Sequence, residues 1–138
     1  MQLLSAERAL QDGSVTYNLS DGPAELANPD HADRVRGKIG VCPQHNDSLQ
    51  DDLTCREVLR LFAQLKGGIP KRSGDQSNEE AIEEEIEHRI KDIAFTTAGD
   101  ADKQVGTYSG GMKRKVSIAL ALLGSPEVVY LDEPTAGK

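Results

Sequence analysis

The stretch Val128-Val129-Tyr130-Leu131-Asp132-Glu133 decides the fold. Its four leading residues are apolar and β-favouring, with no alternation, so they read as a strand buried on both faces, the pattern of a parallel sheet. Open α/β sheets bind ligands just beyond the carboxyl ends of their strands. Asp132 and Glu133 fall at that position. One carboxylate can hold Mg²⁺, directly or through water, while its neighbour, aimed elsewhere, polarises an attacking water. The same letters also suit a strand that ends in a turn with capping acids.

Working back from this strand, Gly124 and Pro126 stop a helix expected over about Met112–Leu123. Ser109-Gly110-Gly111 opens that helix. Glycines let backbone N–H groups approach an anion, the helix dipole favours negative charge, and the Ser hydroxyl adds a donor. An ordinary N-cap at Ser109 is the competing reading. The basic run Lys113-Arg114-Lys115 reads as decoration of the helix surface.

Further upstream, Lys38-Ile39-Gly40-Val41-Cys42 reads as a second short buried strand, stopped by Pro43. Gln44 follows it, with an amide oxygen able to reach a metal or a water, or simply to face solvent. Gln44–Asp47 is expected to be an exposed loop. Two capping boxes, Thr54/Glu57 and Ser77/Glu80, each start a helix. The first places Val58, Leu61, Phe62 and Leu65 on one face and ends at Gly67-Gly68 and Pro70. After a polar linker over Lys71–Ser77, the second carries Ile82, Ile86, Ile90 and Ile93, with its acids on the opposite, solvated face. Before Lys38 the pattern is weak: a short helix over Met1–Leu10, a strand at Ser14–Tyr17 and a loop over Ser20–Pro29. The resulting order is strand, loop, two helices, Gly-turn, helix, strand, a mixed α/β domain with a helical insertion.

Taken jointly, three strings resemble the ATP-binding cassette of ABC transporters: Ile39–Asn46, Tyr108–Lys115 and Val128–Gly137. Gln44 matches the Q-loop. Ser109-Gly110-Gly111-Met112 matches the signature, with Tyr108 for the usual Leu and Met112 for the usual Gln. Asp132 and Glu133 match the Walker B aspartate and the glutamate after it. The Cys-Pro-Gln-His-Asn and Ser-Gly-Gly-Met-Lys-Arg-Lys wording is similar to that of the A subfamily, which mostly moves lipids.

The resemblance implies a P-loop NTPase-like fold with a parallel sheet and a helical subdomain. Residues 1–46 would be core with the Q-loop, 47–106 the helical subdomain, and 107–138 the signature, its helix and the Walker B strand. It implies ATP and Mg²⁺ as cofactors. Asp132 and Gln44 would hold Mg²⁺, Gln44 also sensing the γ-phosphate, and Glu133 would activate the hydrolytic water. Ser109, Gly110, Gly111 and Met112 would bind the γ-phosphate of an ATP held mainly by a second, opposing cassette. The transmembrane domains of a transporter would be the other partner, placing the chain on the cytoplasmic side of a membrane.

No G-x-x-x-x-G-K-[ST] string occurs in the 138 residues. The expectation is that this chain starts just after Walker A, stops short of the switch histidine, has an incomplete sheet with an exposed apolar surface, and is inactive alone. A soluble ABC-type ATPase with a non-transport task stays open as an alternative. So does a non-catalytic module that docks partners through the acidic helix Glu79–Glu87.

Composition bounds these readings. The chain is 37 % apolar, 28 % charged and 4 % aromatic, without Trp, and its net charge is −7. That balance argues against nucleic acid as a partner. The acidity is local: Asp75–Asp92 carries eight Asp/Glu against Arg89 and Lys91. No apolar run approaches the roughly 20 residues that cross a bilayer, and Glu7 and Arg8 spoil Met1–Leu10 as a signal peptide. Cys42 and Cys55 lack metal or CxxC spacing, which fits a reduced compartment. His31, His45 and His88 are scattered and suggest no metal site.

Overall fold

The computed structural model describes residues 13–45, 49–66, 69–71, 74–95, 97 and 99–132. Within them, strands β1 (Thr16–Leu19) and β2 (Gly22–Glu25) form an antiparallel hairpin, and helix α1 (Pro29–Lys38) leads into strand β3 (Ile39–Cys42). Helices α2 (Cys55–Leu65) and α3 (Asn78–Asp92) follow, then two 3₁₀ turns, helix α4 (Gly110–Leu122) and strand β4 (Val128–Leu131). β3 and β4 pair in parallel, Ile39 opposite Val128 and Cys42 opposite Leu131. All the helical insertion lies between these two neighbours, and α4 returns the chain across β3.

Both capping boxes form. Thr54 Oγ1 accepts from Glu57 N at 3.2 Å while Glu57 accepts from Thr54 N at 2.8 Å, and Ser77 and Glu80 do the same at 3.1 and 2.8 Å. Each box satisfies amides that a helix start leaves without intrahelical acceptors. The larger core gathers Val58, Leu59, Ile82, Ile86, Ile90, Val105, Val116, Ala119 and Leu123 between α2, α3 and α4. A smaller one, with Tyr17, Leu19, Ala24, Leu26, Val35 and Ile39, fills the space between hairpin, α1 and β3.

The structure departs from several expectations. The loop expected over Ser20–Pro29 contains β2 and the first residue of α1, and the strand expected at Ser14–Tyr17 lies at Thr16–Leu19. α1 buries Val35 alone, so it has no apolar stripe to read; its signals are Asn28, whose side chain accepts from Asp30 N, and Pro29 at the first turn. On α2 the buried positions are Cys55, Val58, Leu59 and Ala63, while Leu65 is 72 % and Leu61 38 % exposed. β4 is half-buried along Val128–Tyr130 and open at Leu131, not buried on both faces. The helix expected at Met1–Leu10, the Gly67-Gly68 stop, Asn46, Asp47 and Glu133 lie outside the described residues, as does part of the linker.

The acids of α3 are not all solvated. Glu85 is buried, accepting from Arg89 Nε at 2.9 Å and from Gly124 N at 2.9 Å. It thereby joins α3 to the turn that ends α4, where Lys66 Nζ also donates to Leu123 O at 2.9 Å. Removing Glu85 leaves Arg89, among the described residues, with only the exposed Asp92 at 2.7 Å and takes the acceptor from the Gly124 N–H. Glu85→Ala should therefore cost about 3 kcal/mol, read as a fall in the urea midpoint with unchanged slope; an unmoved midpoint would show that the pair contributes nothing.

Candidate functional site

The parallel ladder brings the carboxyl ends of β3 and β4 side by side. One hydrogen bond extends it past the strands, from Asp132 N to Cys42 O at 3.0 Å. Past Cys42 the strand ends, Pro43 and Gln44 lie exposed beyond the sheet edge, and Asp132 is half-buried where β4 ends. Gln44 and Asp132, distant in sequence, are thus brought to one edge of one sheet.

A residue that the sequence reading treated as surface decoration holds them there. Arg114 on α4 is 6 % exposed. Its Nη1 donates to Pro43 O and, at 3.2 Å, to Gln44 O; its Nη2 donates to Asp132 O. The available signal was spacing: Arg114, Ser117 and Ala121 share a helical stripe and are all buried, with Ala121 lying against β3 at Gly40. Val116, Ala119 and Leu123 form the other stripe, toward the helical core. α4 is therefore buried on two sides. The flanking basic residues do lie further out, Lys113 paired with Asp51 at 2.7 Å and Lys115 over the Phe95 ring at 5.7 Å.

The start of α4 is open. Ser109, Gly110 and Gly111 are exposed, and the Ser109 hydroxyl caps the helix by accepting from Met112 N at 3.3 Å. A Cβ on Gly110 would meet nothing within 4 Å, and one on Gly111 only Ser109 Oγ at 3.9 Å. Packing within the chain therefore does not require glycine at either position. Met112 is half-buried against the helical core. Just before it, Tyr108 is a plug: its hydroxyl donates to Asp100 O, its ring meets Phe95 edge-on at 5.5 Å, and burial pushes its pKa up to about 12. The loop ahead of Tyr108 is stitched to the chain after Gln44, by Val105 N to Leu53 O at 2.8 Å and Gly106 N to Asp51 O at 2.9 Å.

Asp132 and Gln44 offer a carboxylate and an amide oxygen, hard donors of the kind Mg²⁺ takes when water and phosphate oxygens complete its shell. Among the described residues no group of three or more His, Cys, Asp or Glu forms a protein-only metal cage. The donor set thus suits a Mg²⁺ carried by a phosphate ligand. Among the same residues, no helix is long and apolar enough to cross a membrane.

A mostly helical insertion separates two parallel strand neighbours, with a glycine-opened helix running back to them, and the sequence matches the ABC transporter family over residues 1–136. The chain belongs to that family. Its similarity is to the A subfamily: it is 47 % identical over 105 residues to ABC transporter A family member 4 and 44 % identical over 105 residues to member 5, both of Arabidopsis thaliana. Each match covers 76 % of this chain and 10 % of the relative, so the chain spans about a tenth of their length. Among solved structures, a dimeric ATP-binding cassette in a post-hydrolysis state bound to ADP and Pi superposes with a TM-score of 0.72 at 24 % identity, over 99 % of this chain and 55 % of that one. A dimeric bacterial ABC transporter cassette gives 0.71 at 24 % identity, with the same coverage.

Proposed function

We propose that this chain works as part of the ATP-hydrolysing motor of an A-type ABC transporter, on the cytoplasmic side of a membrane, and that the cargo is lipid. The observation that carries the reading is that Arg114, in the second turn of α4, binds the backbones of both Gln44 and Asp132 at one sheet edge, while the same helix opens on an exposed glycine pair that packing within the described residues does not require. The A-family relatives support the transport role, and the choice of lipid as cargo rests on the motif wording that resembles the A subfamily.

In this reading Asp132 and Gln44 would hold Mg²⁺ on the phosphates of one ATP, where it would supply positive charge to the phosphoryl group. Glu133 orients the attacking water and takes its proton. Ser109, Gly110, Gly111 and Met112 face a different nucleotide, held mainly by a second cassette, and supply the backbone amides of a helix start to its γ-phosphate. The transmembrane domains are the remaining partner, reached through the Gln44 loop.

The test is closure of the cassette pair. Ser109→Arg puts a long side chain where the γ-phosphate is to sit, at an exposed position where the fold loses only the helix cap, about 1 kcal/mol. It should leave folding intact and abolish ATP-driven dimerisation, measured by light scattering on the assembled cassettes. Undiminished dimerisation would remove the signature from the site. Loading the whole transporter into vesicles with a fluorescent lipid then tests the cargo, and ATP-dependent movement of the lipid between leaflets is the expected result.

A further inference from the structure

Arg114 lies on the signature helix, yet the groups it binds belong to the metal-holding edge of the sheet. Its guanidinium reaches main-chain carbonyls of two separate segments: Pro43 and Gln44 after β3, and Asp132 after β4. The chemistry suits arginine in particular. A planar fork with five donors can serve three carbonyls in fixed directions, whereas an ammonium is a point charge on a flexible stem. Placing a cation here is costly unless its donors are met, and carbonyls clustered beyond two parallel strand ends supply acceptors.

The position of these carbonyls gives the bond network its consequence. Among the described residues the ladder between β3 and β4 runs as far as the Asp132 N–H to Cys42 O bond, and Arg114 Nη2 donates to the carbonyl of the same Asp132. Beyond that bond, the guanidinium provides the cross-connection between the backbones of Gln44 and Asp132. Ligand sets of this kind tolerate displacements of only about 0.5 Å, and groups that orient metal ligands matter nearly as much as the ligands themselves.

We propose that Arg114 is a positioning residue that sets the spacing of Gln44 and Asp132 and thereby the strength with which the site holds Mg²⁺. This rests on the metal role proposed above for those two residues. Because Arg114 is part of α4, the helix that opens with Ser109 also braces the edge that carries Gln44 and Asp132. A shift of α4 along its axis moves both.

Two measurements test it. The first needs no nucleotide or metal: hydrogen exchange of the 138-residue chain, wild type against Arg114→Lys and Arg114→Met. Exchange should quicken at least tenfold in peptides spanning Gln44 and Asp132 and stay unchanged in α3. Equal exchange at the strand ends overturns the proposal. So does a uniform loss of protection that includes α3 in the Lys variant, since that would make Arg114 an ordinary core residue. The second is a Mn²⁺ titration of the ATP-loaded cassette pair followed by electron paramagnetic resonance. Half-saturation should rise about tenfold or more in Arg114→Lys, with metal-free ATP affinity unchanged. An unchanged titration in Arg114→Lys, alongside a weakened one in Asp132→Asn, overturns the positioning role. If Asp132→Asn also leaves Mn²⁺ binding untouched, the metal assignment itself fails, and the inference fails with it; the exchange data then record only a structural brace.

Discussion

In an assembled, dimeric cassette, Glu133→Gln should retain ATP and lose nearly all turnover. The carboxylate proposed to take the proton of the attacking water becomes an amide of the same shape, which can still hold the water but cannot accept its proton. General-base removal costs about 10²- to 10⁴-fold in rate, whereas Mg²⁺ and phosphate contacts, assigned to Asp132, Gln44 and the opposing signature, are unaltered. Binding should therefore be preserved or tightened, and the dimer should accumulate in its ATP-bound, closed form. Steady-state phosphate release and a filter-binding measurement of retained ATP, made on the same preparation, separate the two effects. Near wild-type hydrolysis would move the base elsewhere and leave Glu133 as a strand-end acid. Loss of ATP binding together with turnover would instead place Glu133 among the groups that hold the nucleotide.

What could be read from the letters was whatever the chain encodes locally. The capping boxes at Thr54 and Ser77 are complete within four residues, and both form as read. β3 and β4 were visible as short β-rich runs of an expected parallel sheet, but that they are neighbours in it was not read from the sequence. α1 and β2 were missed because little apolar burial marks them. They are held instead by Arg34, which reaches Asp21, Gly22 O and Pro23 O across the hairpin, contacts that no periodicity encodes. The face of α2 was misjudged in part: Val58 and Leu59 are fully buried with the small Cys55 and Ala63, and Phe62 packs at the edge, while Leu61 and Leu65 remain outside.

The candidate site divides in the same way. Gln44, Asp132 and the Ser109-Gly110-Gly111 opening were legible as motifs, each from a few adjacent letters. Arg114 and Glu85 were not. Each sits in a run of like charge, Lys113-Arg114-Lys115 and Glu83-Glu84-Glu85, and a run of charge reads as a wet surface. Only the tertiary arrangement, a helix packed on two sides in one case and a helix end to be capped in the other, draws one member of each run inward.

Glycines carry the sharpest contrast between fold and function here, and two single-atom changes expose it. Gly40 lies in β3 where α4 crosses: a Cβ there would stand 1.8 Å from Ala121 O and 3.1 Å from Pro126 Cγ. The nearest atoms are main chain, so no side-chain rotation relieves the overlap, and α4 must lift off the sheet. Overpacking of this severity should cost more than about 3 kcal/mol, and in a small domain with a net stability of about 5–15 kcal/mol Gly40→Ala should be largely unfolded or strongly shifted in urea. Gly110→Ala adds the same methyl where nothing lies within 4 Å, in the first turn of a helix. There the loss of unfolded-state freedom should raise stability by about 0.4–1 kcal/mol. Yet the same methyl would occupy the space through which a phosphate approaches the amides of α4, so ATP-driven pairing of cassettes should weaken as stability rises. Urea melts and light scattering on the two variants decide the matter. If Gly110→Ala were destabilising, the exposed glycine would be serving the fold after all. If it paired with ATP as the wild type does, the open start of α4 would not be a phosphate site.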